Sequence, residues 1–89
     1  MIERELLIAN KLGLHARATA KLVQVLSGFR SNATHTAKGR EVNAKSIMGV
    51  MLLAAAHGTR VVLRLEGEDE AAVADVVAEL FDRRFDEDN

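Results

Sequence analysis

Asn10-Lys11-Leu12-Gly13-Leu14-His15-Ala16-Arg17-Ala18-Thr19-Ala20 is the stretch around which this 89-residue chain is organised. The apolar run Leu6-Leu7-Ile8 reads as a strand before it, and a Gly-containing loop follows. A single His then stands at the mouth of a helix whose first turn contains Arg17. The first N–H groups of a helix have no internal partners, and the aligned peptide dipoles place about half a positive charge there. Such an end holds anions, phosphate above all. An imidazole nucleophile at that spot can take up a phosphoryl group. The backbone of Ala16 and Arg17 and the Arg17 guanidinium would then hold it through charge-assisted hydrogen bonds. By spacing alone, a polar residue tolerated at a helix start with a solvated Arg beside it fits at least as well.

Working outward, Ile2 to Ile8 reads as a first strand, with Glu3 and Glu5 alternating against Arg4, Leu6 and Ile8 and Leu7 out of phase. Ala16 to Ser27 reads as a helix closed by Gly28, with Thr19, Leu22, Val23 and Leu26 as its buried face. Its other side presents Ala16, Ala20, Gln24 and Ser27, short side chains that let a partner's backbone approach His15, or that simply reflect helix propensity. Arg30 to Ala37 and Arg40 to Ala44 read as a hairpin about Lys38-Gly39. Its strand signal is thin, with Ala, Ser, Asn and Thr where Val or Ile would be decisive.

Lys45 to Leu53 reads as a short, nearly all-apolar helix with Ser46 as N-cap and Val50, Leu53 and Ala54 turned inward. Ile47, Met48, Met51 and Leu52 are then either an exposed interaction patch or part of an ordinary core. Thr59 to Glu66 is the clearest strand, Val61, Leu63 and Leu65 facing in and Arg60, Val62, Arg64 and Glu66 out. Gly67 ends it, and Glu68 or Asp69 caps a last helix that buries Val73, Val76, Val77, Leu80 and Phe81. Arg83 and Arg84 come late in that helix, as the dipole prefers, and Asp86 to Asn89 reads as a frayed tail. His35 reads as structural or surface-lying, and His57 as sitting near the end of the second helix. Neither shares a metal-ligand spacing with other residues.

Composition narrows the function. With 48% hydrophobic and 28% charged residues, the chain is expected to form one domain, 1–89, around one core. The absence of Cys excludes disulfides and thiolate chemistry. No apolar run nears the roughly 20 residues a membrane helix needs, and the N-terminus lacks a signal-peptide layout, so no membrane insertion and a cytoplasmic location are expected. Aromatics at 3%, without Trp or Tyr, argue against nucleic-acid binding by stacking. No acid–base pair, metal set or nucleotide loop is visible, so neither an independent enzyme nor a cofactor is expected. Residues 1–64 carry ten Lys/Arg against three Asp/Glu, and 65–89 carry two against ten. Lys11, Arg17, Lys21 and Lys45 would make a mildly positive face that steers acidic partners; the counts fit plain solubilising charge equally well.

Gly13-Leu14-His15-Ala16-Arg17 resembles the active-site motif of the histidine-containing phosphocarrier family, HPr, of the bacterial phosphotransferase system. Val42-Asn43-Ala44-Lys45-Ser46-Ile47-Met48-Gly49-Val50-Met51 and Gly67-Glu68-Asp69-Glu70 resemble its later motifs, in the family's order and over nearly the whole chain. The family's Pro after the Arg is here Ala18, which fills the first helical turn without strain and leaves one more N–H free.

The element order strand-helix-strand-strand-helix-strand-helix fits several α+β folds, ferredoxin-like ones included. The resemblance implies the HPr-like open-faced sandwich: a four-stranded, mostly antiparallel sheet with three helices on one face. It implies a monomeric carrier that takes phosphate on His15 from enzyme I, with Arg17 assisting, and passes it to enzyme IIA domains. It also implies docking through Ala16, Ala20, Gln24, Ser27, Ile47, Met48, Met51 and Leu52, and regulatory phosphorylation of Ser46 by an HPr kinase/phosphorylase. Two rivals stand beside it. One is a carrier of the nitrogen-related branch that imports no sugar; the other is a ferredoxin-like regulatory domain without phosphotransfer, with His15 in the core or paired.

Overall fold

Strict alternation makes Arg60–Glu66 a strand that buries Val61, Leu63 and Leu65 on one side, and this strand, β4, lies at the centre of the sheet. The computed structural model describes residues 1–53 and 55–87. The order of elements is β1 (Ile2–Leu7), α1 (Ala16–Ser27), β2 (Asn32–Ala37), β3 (Arg40–Asn43), α2 (Ile47–Leu53), β4 and α3 (Glu70–Asp82), followed by a single tight turn, Arg84–Asp86. The strands lie in the order β1-β4-β2-β3, and every pairing is antiparallel. The result is the open-faced sandwich with its three helices, and the sheet expected to be mostly antiparallel is wholly so.

One face of the sheet is covered. Ala33, His35 and Ala37 of β2 and the three apolar residues of β4 meet Ala18, Leu22 and Leu26 of α1, Val50 and Leu53 of α2, and Val73, Ala74, Val77, Leu80 and Phe81 of α3. The register aligns Arg4, Leu63, His35 and Val42 in one cross-strand row. Arg60–Glu5, Arg64–Glu3 and Arg64–Glu41 form exposed ion pairs at 3.0–3.2 Å. Such pairs are worth well under about 1 kcal/mol each, so the apolar layer carries the stability.

Several local expectations shift. β1 ends at Leu7, which is half exposed, while Ile8 is buried and its N–H donates to the Thr59 carbonyl at 3.0 Å. β2 begins at Asn32 rather than Arg30, β3 ends at Asn43, and α2 begins at Ile47. In α1 the fully buried residue beside Thr19 is Ala18, and Val23 is only half-buried. In α3 Ala74 takes the place expected for Val76, which is exposed, because a 3.6-residue period turns position 76 off the sheet-facing stripe. His57 lies in the turn before β4, four residues past the end of α2, and the placement expected of Ala54 falls outside the described residues.

Asp69 occupies the N-cap position of α3 without capping it. Its carboxylate instead accepts from the backbone N–H groups of Arg30 (2.8 Å) and Ser31 (2.9 Å) and from the Ser31 hydroxyl, tying α3 to the entry of β2. The Ser31 hydroxyl and then the Arg30 amide hold that carboxyl below the usual range, against burial.

The C-terminal end is not a frayed tail over its described part. Arg83 closes α3, and Arg84, Phe85 and Asp86 follow with φ of 55, 55 and 63°, a left-handed turn. Phe85 is fully buried, its ring 4.9 Å from that of Phe81. Burial of one aromatic ring outweighs the cost of the turn, about 1–2 kcal/mol for each left-handed L-residue, only with help from the neighbouring polar contacts. Asp88 and Asn89 lie outside the described residues.

Candidate functional site

The loop between β1 and α1 is held at both ends. The Asn10 side-chain amide donates to the Gly13 carbonyl at 2.7 Å, and the Gly13 N–H donates back to the Asn10 carbonyl at 3.2 Å. Gly13 has φ +68°, and a Cβ there would lie 2.6 Å from the Ala55 carbonyl oxygen, so only glycine lets the loop pass this close to the segment after α2. The next amide, Leu14 N–H, donates to that same carbonyl at 2.9 Å, and the buried Leu14 side chain anchors the loop in the core. The Thr19 hydroxyl donates to the Leu14 carbonyl at 3.1 Å. His15 is thereby fixed as the N-cap residue of α1, in extended conformation (φ −75°, ψ 179°), and its carbonyl accepts the first helical bond, from Thr19 N–H.

The His15 side chain does not cap its own helix. It is 27% exposed and points across to the other end of the chain, where Nε2 lies 2.5 Å from Oε2 of Glu87. The amides of Ala16, Arg17 and Ala18 donate to no described residue; Ala16 and Arg17 are exposed, whereas Ala18 is buried. Arg17 is exposed on the same first turn. Ala18 supplies the third of these amides because it is not proline.

Glu87 is half-buried and its other oxygen, Oε1, accepts from Asn10 Nδ2 at 3.1 Å. Burial pushes its carboxyl up, but the hydrogen bonds from His15 and Asn10, with the Lys21 cation nearby, hold it below the ordinary carboxylate value. Lys21 donates to the Phe85 carbonyl at 2.7 Å and approaches Asp86 at 3.8 Å, so it clamps the left-handed turn. Of the expected positive face, Lys11 and Arg17 remain exposed, whereas Lys45 donates to the Phe29 carbonyl at 2.9 Å.

Ser46 sits where the sequence put it. Its Oγ accepts from Gly49 N–H at 3.1 Å and its carbonyl from Val50 N–H at 3.0 Å, an N-cap for α2. Ile47, Met48, Met51 and Leu52 are 42–75% exposed, while Val50 and Leu53 are buried. Ala16, Ala20, Gln24 and Ser27 are exposed along α1, which packs against α2. Sequence reasoning missed Leu12, an apolar side chain 69% exposed on the His15 loop, and missed Asn10 and Glu87. An Asn two to four residues before a loop glycine is a recognisable turn signal for the first. Glu87, seventy-two residues from His15, leaves no local mark.

A four-stranded antiparallel sheet under three helices, with a histidine at a helix mouth beside amides that have no partner among the described residues, defines a small domain with a site suited to an anion. The family model described as "PTS HPr component phosphorylation site" matches residues 2–83. The chain is 64% identical over 88 residues to a phosphocarrier protein HPr of Xylella fastidiosa, covering 99% of each. It is 37% identical over 86 residues to a phosphocarrier protein NPr of Shewanella violacea, covering 97% of this chain and 94% of the relative. Among solved structures it superimposes on HPr-C-His from Thermoanaerobacter tengcongensis with a TM-score of 0.96 at 40% identity, each chain covered completely. The chain belongs to the HPr family and is a phosphocarrier of the phosphotransferase system. That settles the ferredoxin-like alternative against it, although His15 is paired as that alternative expected. Among the described residues no helix is long and apolar enough to cross a membrane.

Proposed function

We propose that His15 is the phosphoryl acceptor, charged by phosphorylated enzyme I and discharged to a histidine of an enzyme IIA domain. The observation that carries this is the cluster at the mouth of α1: a partly exposed imidazole, the unpartnered amides of Ala16, Arg17 and Ala18, and exposed Arg17. Phosphoryl transfer between two imidazoles needs positioning and charge neutralisation more than acid–base chemistry, and this site offers both. A surface helix end contributes about 0.3–1 kcal/mol to an anion, a hold strong enough to carry phosphate and weak enough to release it. The chain acts as a cytoplasmic monomer and uses no cofactor.

Docking uses the short side chains of α1 (Ala16, Ala20, Gln24, Ser27) and the exposed apolar face of α2 (Ile47, Met48, Met51, Leu52). Apolar, Met-containing surfaces of this kind accept more than one partner. Ser46, at the edge of that face, is the regulatory site for an HPr kinase/phosphorylase; phosphate there puts about −1.5 to −2 charges into the docking surface. The carbohydrate branch is favoured over the nitrogen-related one by the higher identity to an HPr than to an NPr relative. Incubation with phosphoenolpyruvate and enzyme I of each branch, followed by assay for acid-labile phosphate, tests the assignment. His15→Ala is expected to take up none while keeping its fold. A variant still labelled stoichiometrically refutes the role of His15.

A further inference from the structure

The described C-terminal residues end on the candidate site, and nothing in the motifs of the first loop requires that. Glu87 lies beyond residues 2–83, which the family model matches, yet both of its carboxylate oxygens are engaged there. Oε1 is held by Asn10 Nδ2, an amide itself oriented by the Gly13 carbonyl, and Oε2 meets Nε2 of His15. Behind them Phe85 is buried against Phe81, and Lys21 grips the Phe85 carbonyl. The carboxylate is therefore presented to the imidazole from a built support.

We propose that Glu87 is a positioning residue for phosphoryl transfer: it accepts a hydrogen bond from Nε2–H of His15, so the ring's lone pair resides on Nδ1, and its charge balances the charge the ring acquires. This rests on His15 being the acceptor. An ionised carboxylate can only accept, so the ring nitrogen facing it carries the proton. A neutral imidazole has one N–H, which leaves Nδ1 as the nucleophile. Nδ1 makes no hydrogen bond to a described residue. Attack through Nε2 would have to break the contact with Glu87 and bring a phosphate anion against a carboxylate.

The electrons follow. The Nδ1 lone pair forms the new N–P bond as the donor's N–P bond breaks, and that pair returns to the donor ring. The donor ring keeps a proton on its other nitrogen and leaves neutral. The His15 ring becomes an N-phosphoimidazolium, its positive charge shared with Nε2–H beside Glu87. The carboxylate acts here as the Asp of a Ser-His-Asp triad does, fixing a tautomer and stabilising an imidazolium without taking the proton.

The test uses the full, unphosphorylated chain with ¹⁵N-labelled histidine. In alkaline buffer the nitrogen shifts of His15 are expected to report the Nε2–H tautomer almost alone. In Glu87→Ala the ratio is expected to fall about tenfold, the worth of one charge-assisted hydrogen bond, toward that of a free imidazole. The backbone amide spectrum, unchanged away from the loop, shows that the fold is kept. Acceptance of phosphate from phosphorylated enzyme I is expected to slow in both Glu87→Ala and Glu87→Gln. An unchanged tautomer ratio in Glu87→Ala overturns the proposal. So does a transfer rate in either variant at or above wild type, which would make Glu87 an obstacle rather than an aid. Labelling of His15→Ala would instead defeat the acceptor assignment and leave the tautomer result standing.

Discussion

His35 sits in the interior of the sheet's covered face, fully buried, stacked on Phe81 at 6.1 Å between ring centroids and 20° between planes. Neither ring nitrogen has a hydrogen-bond partner among the described residues. Burial alone lowers its pKa from 6.5 to about 4. Above pH 6.5 neither the folded nor the unfolded chain protonates this ring, so it contributes no pH dependence. Between 6.5 and about 4 the unfolded chain takes up the proton and the folded one resists, so stability falls as pH falls. The whole window amounts to about 3 kcal/mol, and about 2 kcal/mol is already lost at pH 5. His35→Phe keeps an aromatic ring against Phe81 and cannot protonate. Urea unfolding of both proteins between pH 7.5 and 4.5 isolates the effect, because the lowered carboxyls of Asp69 and Glu87 are common to both and cancel. The wild type is expected to lose about 2 kcal/mol more than His35→Phe on going to pH 5. Parallel stability curves for the two proteins would refute the argument, by showing that the buried ring gains its proton without opening the core.

Three further outcomes are expected. Gly13→Ala should cost about 3 kcal/mol in urea titration, from positive φ and collision with the Ala55 carbonyl, whereas Gly39→Ala, with φ +76° and open space around it, should cost about 1 kcal/mol. Phe85→Ala, emptying a fully buried site against Phe81, should lower stability by about 3–4 kcal/mol and loosen Glu87 from His15, seen as a change in the His15 ring shifts. Ser46→Ala should cost about 1 kcal/mol of unfolding free energy through the lost N-cap, while Ser46→Asp, capping but charged, should keep stability and slow transfer from enzyme I.

What the residues disclose and what they hide divides along sequence distance. β4 was legible because Val61, Leu63 and Leu65 alternate without interruption, and α2 because Ser46 caps an apolar run whose inward positions, Val50 and Leu53, are spaced by three. The glycine-containing loop and the histidine at a helix start could likewise be read from the loop itself, whereas the positive φ of Gly13 emerges only from its close approach to Ala55. The weak letters of β2, Asn32 to Ala37, still became a strand, because pairing with β3 and β4 on either side overrides low propensity. Val76 was misplaced because a helix rich in Val and Ala offers several apolar stripes, and only the sheet decides which one is used. The last described residues misled most. An acidic string ending a chain reads as solvated, and neither the burial of Phe85 nor the contact of Glu87 with His15 exists until α3 has packed. The same limit hid the true partner of Asp69, which lies 38 and 39 residues back along the chain.

The ring of His35 leans on Phe81, Phe81 on Phe85, and Phe85 anchors the turn from which Glu87 reaches the imidazole of His15. Three residues that prefer the opposite handedness make that turn a spring under tension, and the seated phenyl group is its catch. A defect deep in the interior can therefore surface as altered chemistry at the rim. A Phe81 variant that passes phosphate poorly would be misread as damaged at its surface, when what had failed is the bolt behind His15.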